Sequence, residues 1–291
     1  MAGSRTKLAL LLAPPLLLLV TFMLLPLLGL FRSSFFVGSG PIASGFSFEQ
    51  YAKFLLDEYY LGVLAETIGI GLSSAVLSVL IGYPVGYSLA RLPAEKRRRR
   101  LILVILPMTL SLVVVVFGWL VALGRNGLLN SILMGLGVID SPGRFLFNRA
   151  AVLLVLVQQY LPFMILSVMS GVAQIDPVLE QAAANLRADR FTTFRRVILP
   201  LSIPGILSGF TLVFILSVSA FITPKLIGGS RVQMIGSLIY EQVLTVLNWP
   251  FSAAMSFVLL TLTLGLTALA NTLLAVRFTA DQGKKHASRR A

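Results

Sequence analysis

The chain has 291 residues, of which 57% are hydrophobic and 12% are charged, with a formal net charge of +13 and no cysteine. Water-soluble domains carry about 25% charged residues, so this chain has too few polar groups to cover a water-facing surface. The absence of cysteine excludes disulfides, thiolate catalysis and zinc–sulfur sites.

The first hydrophobic segment follows Arg5 and Lys7 and runs from Leu8 to Phe31. A cleaved signal peptide has a hydrophobic stretch of about 7–15 residues and then a small-residue cleavage site. This run is longer, and no clear cleavage motif follows it. We therefore predict a first transmembrane helix that is retained.

Six apolar stretches of the chain approach or exceed the ~20 residues that cross a bilayer as an α-helix. We see no alternating segments of about ten residues, which a transmembrane barrel would need. Prolines within the stretches are expected to be tolerated, because neighbouring helices satisfy the freed backbone groups. The fold prediction is an all-α polytopic membrane protein with six transmembrane helices. The predicted spans are 8–31, 62–90, 101–124, 150–172, 204–222 and 251–276.

The basic residues indicate the orientation of these spans, because loops on the cytoplasmic side are enriched in Lys and Arg. With a cytoplasmic N-terminus, seventeen of the 24 basic residues fall in inner segments and seven in outer ones. Both termini are therefore predicted to be cytoplasmic. The run KRRRR at 96–100 is interpreted as an anchor on anionic lipid headgroups, so membrane lipid is an expected partner and nucleic acid is not.

A polar stretch between the fourth and fifth spans is predicted to contain a short helix. Asp176 and Pro177 are typical of a helix start. Two interpretations of this helix are open, docking to a cytoplasmic protein or resting on lipid. One face carries an apolar stripe at helical spacing, and the other side is polar. The stripe is Leu179, Ala182, Ala183 and Leu186, and the polar side is Glu180, Gln181 and Asn185.

The residues after this helix form a second, basic amphipathic segment. Phe191, Phe194 and Ile198 are spaced to share one face. Pro200 and Pro204 are expected to break the chain before the fifth span.

The whole stretch resembles the EAA loop of permease subunits of bacterial type I ABC importers. Residues 181–183 (QAA) take the place of E-A-A, and residues 197–200 (VILP) take the place of the closing I-x-L-P. Two departures stand out: Gln181 replaces the usual glutamate, with Glu180 adjacent, and Arg187 takes the place of a glycine that permits a sharp turn.

The resemblance extends over most of residues 60–276. Residues 83–87 (YPVGY) and 90–91 (AR) are similar to the second span of these permeases. Trp119 and the segment GRNGLLN at 124–130 resemble the subgroup that handles spermidine and putrescine. Neighbouring subgroups serve ferric iron, sulfate and amino-acid derivatives, so these substrates stay open as alternatives.

The resemblance implies a type I ABC importer permease fold, in the bacterial inner membrane, with a cytoplasmic coupling helix. The domains it implies are an N-terminal helix and periplasmic segment (1–60), the transmembrane type-1 domain (61–276) and a basic cytoplasmic tail (277–291). The implied partners are an ABC ATPase dimer, a second permease subunit, expected to be a paralogue, and a periplasmic binding protein that delivers the substrate. The residues implied to couple to the ATPase are Leu179, Glu180, Gln181, Ala182, Ala183, Leu186 and Arg187.

The chain has no G-x-x-x-x-G-K-[ST] phosphate loop, so any ATP hydrolysis is assigned to another chain. We accordingly predict no catalytic residue, metal or cofactor in this chain, with ATP and Mg²⁺ on the partner ATPase. Two other classes were weighed. A secondary transporter is disfavoured because no clear inverted repeat appears and few ionisable residues lie within the spans. An intramembrane enzyme is disfavoured because the spans contain no histidine and no paired carboxylates.

Four residues are candidates for the substrate pathway. Glu66 is an ionisable residue in a span, where burial is costly. It either attracts an ammonium group or pairs with an arginine such as Arg125. Trp119 offers a cation–π face or is an ordinary interfacial aromatic. Asn126 lies in the GRNGLLN segment, and Glu241 faces either the entrance or solvent.

Overall fold

The computed structural model describes residues 2–36 and 45–287. Apart from one isolated bridge between Phe36 and Phe46, the regular structure of these residues is helical. Six helical segments of these residues are long and apolar enough to cross a membrane. The prediction of an all-α chain with six spans is therefore confirmed.

The described residues form twelve α-helices, one 3-10 turn at Leu106–Thr109 and two π-helical turns at Phe194–Ile198 and Pro224–Gly228. The α-helices are α1 Ala2–Ser33, α2 Glu49–Leu56, α3 Glu58–Ala90, α4 Ala94–Ile105, α5 Leu112–Leu123, α6 Leu128–Gly135, α7 Arg149–Ala173, α8 Val178–Asn185, α9 Arg190–Thr193, α10 Leu199–Val218, α11 Ile235–Leu244 and α12 Trp249–Ala287.

The chain divides into two compact units. The first consists of Met1–Gly62 and Leu238–Leu262, and the second of Val63–Ser237 and Thr263–Ala291. In the first unit, Phe54 and Phe251 are fully buried. The ammonium of Lys53 lies 4.6 Å from the centre of the Phe251 ring, a cation–π distance.

The core of the second unit is built by α3, α7 and α10, which approach one another closely at glycines. A Cβ on Gly86 of α3 would lie 2.8 Å from the carbonyl oxygen of Ile165 on α7. A Cβ on Gly171 of α7 would lie 2.8 Å from the Cα of Gly205 on α10. Small residues allow this backbone approach between membrane helices, where dispersion contacts take the place of the hydrophobic effect. A hydrogen bond of 2.9 Å between the buried hydroxyls of Tyr83 and Ser202 also joins α3 to α10.

The third predicted span, 101–124, was wrong as a continuous helix. The chain forms α4, then the 3-10 turn Leu106–Thr109, and then α5, with Pro107 in the turn. Proline has no backbone N–H and its ring clashes with the preceding turn, so an α-helix breaks there. The apolar membrane-length segment in this region is Leu112–Gly135.

The expected break before the fifth span was also wrong. Helical structure continues from Arg190 to Val218, with Pro200 near the start of α10 and Pro204 inside it. The π-helical turn Phe194–Ile198 precedes Pro200 and changes the hydrogen-bond spacing there. The basic segment is consequently the first part of the fifth span rather than a separate element.

The last helix is longer than its predicted span of 251–276. It runs from Trp249 to Ala287 and includes most of the predicted basic tail. Residues 288–291 of that tail, and residues 37–44 of the predicted periplasmic segment, lie outside the described residues.

Candidate functional site

The loop between α7 and α10 contains α8, and we call residues 174–189 the α8 loop. At its start, the Asp176 carboxylate accepts a hydrogen bond of 2.9 Å from the backbone N–H of Val178. An aspartate in this place satisfies one of the free N–H groups of the first helical turn. The short helix predicted from Asp176 and Pro177 is confirmed, with its first residue at Val178.

The α8 helix ends in a Schellman motif, a pair of backbone hydrogen bonds that closes the last turn. The N–H of Ala188 donates to the carbonyl of Ala183 at 3.0 Å, and the N–H of Arg187 donates to that of Ala184 at 2.9 Å. The motif requires a left-handed residue, and Arg187 supplies it with φ of 59°. The turn that glycine normally permits is therefore formed here with an arginine.

An ion pair fixes α8 to the end of α3. The Nη2 atom of Arg91 lies 2.5 Å from Oε1 of Glu180, with 21% and 27% of the two side chains exposed. Nη1 of the same arginine donates to the carbonyl of Ile175 at 3.0 Å. The Tyr87 hydroxyl lies 3.5 Å from Oε2 of Glu180, at the outer limit of a hydrogen bond. Arg91 thus holds both the entry to the loop and its helix.

Sequence reasoning missed this pair. The two residues are 89 positions apart in the sequence. At such a separation, no periodic pattern of residues links two opposite charges. The available signals were an arginine at the end of a span and a glutamate in the polar stretch, and neither one identifies the other.

The apolar stripe of α8 is divided by the fold. Ala183 is 9% exposed and is buried within this chain, whereas Leu186 is 83% exposed and Leu179 43% exposed. Ala182 and Gln181 are exposed as well. The surface that α8 offers to another molecule is therefore formed by Leu179, Ala182 and Leu186, and Ala183 packs inward.

The turn after α8 leads directly into α9. The carbonyl of Asp189 accepts the N–H of Thr193 at 2.9 Å, which starts the new helix. A hydrogen bond from the Thr192 side chain lowers the pKa of the Asp189 carboxyl. The carboxylate therefore stays charged at the N-terminus of α9, where negative charge is favourable.

At the other end of the second unit, Glu66 of α3 forms an ion pair with Arg149, the first residue of α7. Arg149 Nε lies 2.6 Å from Glu66 Oε1, with 19% of the Glu66 side chain exposed and 71% of the Arg149 side chain. The partner of Glu66 is thus Arg149 and not Arg125. A carboxylate already paired in this way is available to a cation only through its remaining oxygen or by exchange of partners.

Trp119 lies on α5, half-buried, and its indole N–H donates to Oε1 of Gln158 on α7 at 3.0 Å. The next residue, Gln159, accepts a hydrogen bond of 3.1 Å from the Thr223 hydroxyl. The side-chain amides of two adjacent residues on α7 therefore join neighbouring parts of the chain to the core. Gln158 contacts α5 through Trp119, and Gln159 contacts Thr223, just before the second π-helical turn.

The other two pathway candidates lie on other elements of the chain. Asn126 is exposed in the loop between α5 and α6, and Glu241 lies half-buried on α11. Asn130 in the same GRNGLLN segment was missed, although it is 1% exposed and fixes the loops around it. The only sequence signal for this role was an asparagine in a short glycine-rich segment. Asparagines are common in turns, so the signal did not single out Asn130.

The fold and these sites define a polytopic membrane protein with a partly exposed loop helix that an ion pair joins to α3. Over residues 82–276 the chain matches the family described as the binding-protein-dependent transport system inner membrane component. The chain belongs to this family, and it is therefore a multi-pass inner-membrane permease and not an enzyme.

Curated relatives agree with this family, and solved structures share the fold. The chain is 36% identical over 253 residues to the spermidine/putrescine transport system permease protein PotB of Salmonella typhi, covering 86% of this chain and 88% of the relative. It is 34% identical over 266 residues to PotB of Haemophilus influenzae, covering 91% and 90%. The fold matches a bacterial alginate ABC transporter, solved in complex with an alginate pentasaccharide-bound periplasmic protein. The TM-score is 0.72 at 17% identity, covering 93% of this chain and 94% of the other.

Proposed function

We propose that this chain is the permease subunit of an ATP-driven ABC importer that carries a polyamine, such as spermidine or putrescine, across the inner membrane. The observation that supports the substrate is the identity of 36% with a spermidine/putrescine permease over most of both chains. Substrate recognition depends on side chains distributed along the whole pathway, so likeness over the full length is more informative than likeness in one loop.

In this proposal, α8 is the coupling helix that docks on an ABC ATPase. Its exposed surface of Leu179, Ala182 and Leu186 is suited to insertion in a groove, because a small residue between two larger ones lets a partner approach closely. The Arg91–Glu180 ion pair, at 2.5 Å, ties α8 to the span α3. A force applied to α8 is therefore passed to a membrane helix rather than absorbed by a soft loop.

The remaining partners follow from the same importer architecture. Two ATPase subunits supply ATP and Mg²⁺, a second permease, expected to be a paralogue, completes the pathway, and a periplasmic binding protein delivers the substrate. The bias of Lys and Arg supports a cytoplasmic position for both termini and the α8 loop. The ends of α5 and α7 that carry Arg125 and Arg149 then face the periplasm.

The test is co-purification after expression of the whole genomic neighbourhood, followed by calorimetry of the co-encoded binding protein with spermidine, putrescine and ferric iron. The expected result is an ATPase and a second permease in the complex, with polyamine binding. Ferric iron binding alone would retain the importer and reject the polyamine. Uptake by this chain alone, driven by an ion gradient, would reject the importer.

A further inference from the structure

A basic pocket with a volume of about 440 Å³ lies in the second unit, away from the α8 loop. Three of the residues that line it are arginines: Arg125 after α5, Arg144 before α7 and Arg231 after the second π turn. All three are exposed, and none is ion-paired to a carboxylate within the described part of the chain. Asp140 lies on the same segment as Arg144 but does not line the pocket.

The backbone beside two of these arginines is held by one buried side chain. The Asn130 amide donates to the carbonyl of Gly124 at 3.0 Å and to that of Gly143 at 3.1 Å. Its oxygen accepts the N–H of Gly143 at 2.7 Å. Gly124 and Gly143 directly precede Arg125 and Arg144, so the two arginines stand on loops with a fixed separation.

The third arginine stands on a loop that is fixed to the same segment. The N–H of Phe147 donates to the carbonyl of Ile227 at 2.9 Å. Gly229 adopts φ of 60°, and a Cβ on it would lie 2.8 Å from the Phe147 ring. The three loops therefore meet in one arrangement, which lowers the entropy that ordering them on a partner would cost.

We propose that this pocket is a docking site for an acidic side chain, Asp or Glu, that projects from the periplasmic binding protein. The proposal rests on the proposed function, because it needs the importer architecture and an outward-facing pocket. Three unpaired guanidinium groups repel a polyamine and attract a carboxylate, which they can bind in a bidentate manner.

The surroundings of the pocket favour a protein over a small anion. Phe145 and Phe147 line it beside the arginines, and Phe147 is 47% exposed. Arginine and aromatic side chains are enriched at protein interfaces. Charges at such a site chiefly accelerate association.

The experiment uses the assembled complex in nanodiscs of phosphatidylcholine, which removes anionic lipid. The association rate constant of the co-encoded binding protein is measured at low and high ionic strength. The test variant carries Arg125→Gln, Arg144→Gln and Arg231→Gln together, and a second variant carries lysine at the same positions. Lys53→Gln, in the first unit, is the control for loss of positive charge elsewhere.

We expect the glutamine variant to associate about tenfold more slowly at low ionic strength, with a smaller difference at high ionic strength because salt screens the charges. The lysine variant and Lys53→Gln should stay near the wild-type rate. If the triple glutamine variant does not assemble, the three single variants are measured, and each is expected to slow association about two- to threefold.

An unchanged rate for the glutamine variants would overturn the proposal. Binding of inorganic phosphate to the wild-type complex, without competition against the binding protein, would assign the pocket to a small anion and overturn it as well. Failure of the proposed function has a different signature, since the wild-type complex would then contain no ATPase or would not bind the binding protein.

Discussion

At the scale of single residues, Arg187 shows how a family pattern is kept with a different side chain. The EAA loops that this stretch resembles have glycine in its place. Here the two hydrogen bonds of the Schellman motif form anyway, and Arg187 takes the left-handed conformation at φ 59°. That conformation costs a residue with a Cβ about 1–2 kcal/mol, so the loop carries a local strain that glycine would remove.

Replacing Arg187 with glycine is expected to stabilise the closed α8 loop by about 1 kcal/mol, because the left-handed conformation then costs nothing. Hydrogen exchange of the amides in residues 179–189 should slow accordingly. Ala188→Gly is the matched control, since Ala188 has no positive φ and its substitution should speed exchange. Faster exchange in Arg187→Gly than in the wild type would contradict this account of the turn.

The Arg91–Glu180 ion pair is expected to have a coupling energy of about 1–2 kcal/mol, between the values for exposed and fully buried pairs. A double-mutant cycle with Arg91→Gln and Glu180→Gln, measured by hydrogen exchange of the α8 amides, gives this energy. The control is the pair of Arg99 and Glu95, which is 2.9 Å apart but 79% and 78% exposed. Its cycle should give about 0.5 kcal/mol or less, and equal values for the two pairs would show that α8 is not held by Arg91.

At the scale of elements, α8 and the contact between α3 and α7 show how the position of a residue on its helix decides what surrounds it. The α8 helix has one face buried in its own chain at Ala183 and another exposed at Leu186. The α3 helix meets α7 at Gly86, where an added Cβ would lie 2.8 Å from the carbonyl oxygen of Ile165. On α8, the direction in which a residue faces therefore decides whether it packs within the chain or is exposed.

Aspartate substitutions around α8 should separate docking from folding. Ala182 and Ala184 are both exposed, and at about 100° per residue they lie on nearly opposite sides of the helix. Ala182→Asp should abolish co-purification of the ATPase and ATP-driven uptake, whereas Ala184→Asp should retain both. Ala183→Asp should lower the melting temperature, because it buries a carboxylate. Equal ATPase retention in Ala182→Asp and Ala184→Asp would refute docking through the exposed stripe.

Alanine substitutions along α3 test the close approach of the helices. Gly86→Ala should destabilise the protein by about 1–3 kcal/mol, because the added Cβ would lie 2.8 Å from the Ile165 carbonyl oxygen and force the helices apart. Gly69→Ala on the same helix is the control, since nothing lies within 4 Å of its added Cβ. Melting temperatures in detergent measure both, and similar values would show that α3 and α7 do not need this contact.

At the scale of the whole molecule, the distribution of charge predicts the orientation of the chain in the membrane. Basic residues are concentrated in alternate loops, and this bias predicts a cytoplasmic α8 loop and a periplasmic basic pocket. Both docking proposals depend on this orientation. The α8 loop can reach an ATPase only from the cytoplasm, and the basic pocket can reach a periplasmic binding protein only from the other side.

Single cysteines can test this orientation directly, because the chain has none of its own. In intact cells with a permeable outer membrane, a membrane-impermeant maleimide should label Ser230→Cys beside the basic pocket. Asn185→Cys in the exposed α8 loop should be labelled only after the inner membrane is opened. Labelling in the reverse order would invert the topology and remove the basis of both docking proposals.

The six spans, the helical class and the start of the α8 helix could be predicted from the sequence, because they depend on local properties. Hydropathy over about 20 residues identifies a span, and Asp176 before Pro177 identifies a helix start. The break at Pro107 and the uninterrupted helix through Pro204 were predicted wrongly. A proline removes a hydrogen bond in both places, and only the neighbouring structure decides whether the helix continues.

The sequence by itself determined that this is a six-span membrane protein with a short helix between its fourth and fifth spans, because hydrophobicity and helix-start signals depend on consecutive residues. Only the tertiary structure decided that Glu180 pairs with Arg91, that Glu66 pairs with Arg149 and that three arginines line one pocket. In each of the two ion pairs, the partners are 83 or more positions apart in the sequence. Such pairs form only when the helices pack together, so patterns in consecutive residues do not predict them.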